Sequence, residues 1–147
     1  MLRVVVGAVL LTLGASVALA QNTAAIKARQ DLMKANGAAL KEPGAMAKGE
    51  APFDLAKVKA SLKTLQDNSA KLKGLWPEDS KTGGDTRALP AIWTDMKGYL
   101  AWFDGMAKDA KAAEASIKDE ASFKTEWPKV VGYCGGCHKD FRAPAKK

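Results

Sequence analysis

Two thiols and one imidazole sit in a single pentapeptide, Cys134-Gly135-Gly136-Cys137-His138, and the sequence holds no other cysteine or histidine. On a helix, Cys134 and His138 are one turn apart and share a face, with Cys137 at its edge. Thiols so placed can form thioether links to the two vinyl groups of a haem, and the imidazole then reaches the iron from below. Gly135 and Gly136 present no side chain to the porphyrin edge. C-x-x-C-H is the spacing of c-type haem attachment. Three other uses of the pentapeptide compete. A thioredoxin-like dithiol needs a preceding strand and a βαβ context. A zinc site would have two cysteines, one histidine and a carboxylate, with no second knuckle. A disulfide across the motif leaves His138 unexplained.

The scarcity of these residues also excludes whole classes. Two cysteines and one histidine cannot build a Cys₄ or Cys₂His₂ zinc site, a bis-histidine metal site or a disulfide-dense scaffold. The 147 residues suit one domain, and 23 Lys and Arg against 16 Asp and Glu give a net charge of +7. The lysines scatter along the chain with little aromatic interleaving, which argues against a nucleic-acid stripe. The positive charge suits docking to an acidic redox protein.

The first twenty residues form a separate unit. Arg3 precedes an apolar run from Val4 to about Leu13, and Ala18-Leu19-Ala20 gives a small-residue cleavage pattern, so residues 1–20 are expected to be an export signal. Gly14, Ala15 and Ser16 interrupt the run short of the ~20 apolar residues a membrane span needs. Cleavage leaves residues 21–147 as one domain and removes one cation, for a net +6. The expected location is a periplasm, without stable membrane insertion.

The mature chain reads as helix throughout. No stretch alternates with the β-branched enrichment of a strand. In the first segment Ile26, Arg29, Leu32/Met33 and Leu40 share a face, and Pro43-Gly44 is expected to break or kink it. Asp54 caps a second segment whose stripe is Leu55, Val58, Leu62, Leu65, Ser69 and Leu72. Residues 77–89 form one long polar loop. A third helix opens at Pro90 and runs through Ile92/Trp93, Met96, Tyr99 and Phe103. The fourth starts near Asp119, is kinked by Pro128 and carries the pentapeptide. Such amphipathic helices bury their stripes as an antiparallel four-helix bundle.

A haem-attachment motif at the C-terminal end of a four-helix domain resembles the class II cytochromes c: cytochrome c′ and its low-spin c-556-type relatives. The resemblance is carried by Leu32 to Gly37, Ala47 to Glu50 before Pro52-Phe53-Asp54, Pro90 to Trp93, and Cys134 to Arg142. It implies one covalent haem c in an all-α antiparallel four-helix bundle, attached at Cys134 and Cys137, with His138 as the proximal iron ligand. In c-556-type relatives a methionine on the first helix fills the sixth position, which implies Met33. Met46, Met96 and Met106 are the other candidates, and the plain alternative is that Met33 fills core. Arg29, one turn before Met33, could reach a haem propionate. Trp93, Trp102 and Trp127 are expected in the core, with Trp76 and Phe53 beside the haem.

His/Met ligation raises the reduction potential and blocks gas binding. The expectation is a periplasmic carrier of single electrons between redox proteins, not an enzyme. The alternative keeps the fold and makes Met33 a packing residue. The iron would then be five-coordinate and bind NO or CO, as cytochrome c′ does. Family members include dimers packed through their first two helices, and the apolar stripes reveal no second surface of that kind here.

Overall fold

In the computed structural model, residues 23–145 are described with their side chains and residues 4–22 by their backbone only. Of the expected export signal, residues 1–20, only the backbone of residues 4–20 is described, and residues 1–3 lie outside the described residues. Five helices follow in order: α1 (Val4–Ala47), α2 (Leu55–Leu72), α3 (Ala91–Thr94), α4 (Met96–Ser116) and α5 (Glu120–Phe141). The four long ones make an all-α bundle: α2 packs on α1 and α4, and α4 packs on α5. Among the described residues there is no strand, only one isolated antiparallel bridge between Ala88 and Arg142.

The apolar stripes land where the helical period puts them. Val58, Leu62, Leu65 and Leu72 of α2 are fully buried, as are Ile92, Ile117 and Phe123, with Val130 and Phe103 close behind. Asp54 accepts a hydrogen bond from the Lys57 amide and starts α2. Asp119 starts α5 in a reciprocal capping pair: its carboxylate accepts from the Ser122 amide at 2.8 Å, and Ser122 Oγ accepts from the Asp119 amide at 3.1 Å.

Two boundaries differ from the sequence expectation. First, α1 does not break at Pro43-Gly44. Pro43 lies inside the helix, fully buried. Its ring forfeits one backbone hydrogen bond, and burial of its apolar atoms offsets part of that loss. The real stop is Gly49, whose φ of 76° is left-handed. Its amide bonds Met46 O at 3.0 Å while the Glu50 amide bonds Ala45 O at 2.9 Å, the paired closure that ends many helices. Second, the helix expected from Pro90 is cut in two at Asp95. The Asp95 carboxylate accepts from the Gly98 amide at 3.0 Å and so caps α4 afresh. At Pro128 the expectation was a kink, and α5 is assigned as one helix through it.

The long loop is not loose. Its one turn of 3₁₀ helix, Glu78–Ser80, buries Ser80 completely. The buried Arg29 guanidinium donates to Ser80 Oγ (2.6 Å), Ser80 O (3.1 Å) and Leu75 O (2.9 Å). Farther on, the Leu89 amide donates to Phe141 O (3.0 Å) and the Ala143 amide to Arg87 O (2.8 Å). The loop is thereby strapped to the turn that follows α5.

Candidate functional site

Two cavities lie side by side between α1 and α5, of about 480 Å³ and about 250 Å³. Four residues line both: Met33 from α1, Cys137 and His138 from α5, and Arg142 just beyond it. The larger cavity is closed by Ile26, Arg29, Trp76, Tyr99, Phe141 and the strapped loop residues Asp85 to Ala88. The smaller one is closed by Asn36, Gly37, Leu40, Trp102, Phe103, Met106, Tyr133 and Cys134. The result is one slot, mostly apolar, with the pentapeptide along one wall and the first helix along the other.

The walls are braced from behind. Trp76 meets Tyr99 edge-on at 4.7 Å, and Tyr99 meets Phe141 at 5.0 Å. The Arg29 guanidinium sits 4.3 Å from the Trp76 ring centre. Tyr133 donates from its hydroxyl to Asp109 at 2.8 Å, which fixes the ring that Trp102 leans on. Gly136 has a specific reason to be glycine: a Cβ there would lie 2.5 Å from the Trp102 ring. Gly135 faces open space. The freedom expected at both glycines for a porphyrin edge is thus used at Gly136 to seat an indole.

The chemistry of the donor set separates the readings of the pentapeptide. Burial pushes the Cys137 thiol up to about 11, with Cys134 and Asp140 adding to it, and burial also raises Cys134. Thiols protonated at neutral pH are poor exchange nucleophiles, which disfavours a working dithiol. Burial, then the Arg142 and Arg87 cations, lowers His138, so its imidazole is held neutral with a lone pair to give. Among the described residues no group of three or more His, Cys, Asp and Glu side chains could hold a metal ion by itself. A flat, covalently attached macrocycle fits this place better. The slot is apolar, the thiols lie on its wall, and the buried Trp76 Nε1 has no hydrogen-bond partner.

The structure sorts the candidates. Cys134, Cys137, His138 and Met33 are brought to one slot. Among the other methionines, Met106 lines only the smaller cavity, Met46 is buried in a separate cavity of about 310 Å³ beside Phe53, and Met96 lines none of the three. Arg29 lines the larger cavity, with three of its bonds already directed to Ser80 and Leu75. Trp76 lines the slot as expected. Phe53 does not: it stacks on Phe123 at 5.6 Å, away from the pentapeptide. Trp127 is core, whereas Trp102 is a slot wall. Sequence reasoning missed Arg87, whose guanidinium donates to Ala143 O at 2.9 and 2.6 Å, and Asn36, a polar residue three positions beyond Met33.

A helical bundle with a slot between its first and last helices, walled by a half-buried Cys-x-x-Cys-His motif, defines a class of haem protein, and the comparisons identify it. The cytochrome c′ family profile matches residues 24–142. A cytochrome c′ of Rhodopseudomonas palustris is 49% identical over 97% of both chains, and a cytochrome c-556 of the same strain is 37% identical over 97% of both. The solved cytochrome c′ of R. palustris superposes with a TM-score of 0.81 at 48% identity, covering 83% of this chain and 98% of that one. The chain belongs to the cytochrome c′ family of class II c-type cytochromes, and its cofactor is a covalently bound haem c.

Proposed function

We propose that Cys134 and Cys137 hold the haem through thioethers and that His138 is its proximal ligand. Residues 1–20 are read as an export signal and residues 21–147 as the haem domain of a periplasmic protein. When bound, the haem would supply a one-electron couple and an iron that takes ligands from the protein. The residues here do the rest: the neutral His138 imidazole lines the slot, and Arg87, Arg142 and Arg29 line it as cations that would pair with the propionates. No helix among the described residues is long and apolar enough to cross a membrane.

What occupies the sixth position decides the function. The likeness to a cytochrome c′ at 49% identity, the observation that carries this reading, supports a five-coordinate iron that binds NO or CO, with Met33 as a packing residue. A second reading rests on Met33 itself. Among the four candidate methionines only Met33 lines both cavities together with His138, and the c-556 relative at 37% identity accords with it. In that reading His138 and Met33 saturate the iron, and the protein passes single electrons to acidic periplasmic redox partners.

One set of spectra separates the two. In the gas-binding reading the oxidised protein is high-spin, the reduced protein takes up CO readily, and Met33→Ala changes neither. A sulfur–iron charge-transfer band that Met33→Ala abolishes overturns it in favour of the electron carrier. Intact-mass measurement of the purified protein tests the attachment: the expected mass is the 127-residue mature chain plus one haem, and a bare polypeptide from a host competent in haem attachment overturns the assignment.

A further inference from the structure

Asn36 is an anomaly on the slot wall. It is 7% exposed, and it pairs with Asn68 of α2, itself 6% exposed. Asn68 Nδ2 donates to Asn36 Oδ1 at 2.8 Å. A buried polar pair between two helices costs desolvation that two apolar residues would not, so its hydrogen bonds matter. The bond is directional: it engages the Asn36 carbonyl oxygen from the α2 side. The amide nitrogen of the same group is left with two N–H donors, and among the described residues none finds an acceptor. Asn36 also lines the smaller cavity, together with Met33, Cys134 and His138. The amide is thus anchored through its oxygen on a cavity wall, with both nitrogen donors unspent.

We propose that Asn36 is the hydrogen-bond donor to a small diatomic ligand held in the slot on the Met33 side, with Asn68 as the residue that orients it. The proposal rests on the gas-binding reading, because it requires a ligand at that face. A donor of this kind favours ligands that accumulate negative charge at their outer atom, and it slows their escape. It sets a preference among diatomics that an all-apolar pocket lacks.

The test uses the reduced holoprotein with CO as the probe and its C–O stretching frequency as the readout. A hydrogen bond to the outer oxygen lowers that frequency, which simple packing does not. In Asn36→Leu the frequency rises, and CO dissociates about fivefold faster, the factor that one net hydrogen bond carries. Because Asn36→Leu strands the Asn68 amide, N36L/N68L is measured beside it and shows the same rise with the pair replaced by apolar side chains. An unchanged frequency in either folded variant overturns the proposal. If the parent refuses CO because Met33 fills the site, the gas-binding reading fails and the proposal falls with it; if the parent binds CO and the frequency does not move, the proposal alone is overturned.

Discussion

The two ends of the bundle bury comparable side chains to different purposes. Met33 and Met46 lie on the same helix, yet Met46 is 4% exposed against Phe53 while Met33 is half-buried on a slot. Behind Met46 the rings pack in a chain, Phe53 on Phe123 and Phe123 on Trp127 at 5.5 Å, while Glu42, Asp54 and Lys57 line the rim. Around Met33 the walls are held by directed bonds, among them Arg29 on Ser80, Asn68 on Asn36 and Arg87 on Ala143. The first arrangement is held mainly by ring-on-ring packing. The second keeps a space open by anchoring what surrounds it, since apolar walls alone would collapse inward.

The sharpest way to break this contrast is at the end packed by rings. Phe123→Ala removes a fully buried ring that contacts two others. The expected cost is about 3–5 kcal/mol in denaturant unfolding, with the haem spectrum of the folded protein unchanged. A spectral change would show that the ends are not independent. A smaller effect, confined to the slot, is expected from Gly136→Ala. The added methyl meets the Trp102 ring, and overpacking costs roughly 1–3 kcal/mol. Its mark is altered haem absorption and Trp102 fluorescence together; a loss of stability with neither would place Trp102 outside the slot. The smallest effect is at the α5 cap. Hydrogen bonds from the Ser122 side chain and backbone hold the exposed Asp119 carboxyl below its ordinary 3.8. A depressed carboxyl stabilises the fold above its unfolded value and loses that contribution as pH falls through its folded value. The stability gap between the parent and Asp119→Ala is therefore small at neutral pH and closes in strong acid.

Much of this was legible in the sequence, for identifiable reasons. The α2 stripe, the Asp54 cap and the start of α5 near Asp119 follow from period and side-chain chemistry acting over four residues. The pentapeptide is legible because its residue types are so rare in this chain. Pro43 misled because proline inside a helix is judged locally, whereas its buried surroundings are tertiary; Gly49, the true stop, carries a signal available in the sequence as a glycine after a helical run. The break at Asp95 was available too, since aspartate three residues before Gly98 can cap. Arg87 and Asn36 were not. Their roles depend on Ala143 and Asn68, which are 56 and 32 residues away and brought close only by the fold.

The strap across the slot has one more effect. Residues 87–89 and 141–143 share four hydrogen bonds: Leu89 to Phe141, Ala143 to Arg87, and two from the Arg87 side chain to Ala143. They join the loop to the histidine-bearing helix as one frame. The cavity wall on that side therefore cannot swing out with the loop alone, because the four bonds tie it to the residues at the end of α5.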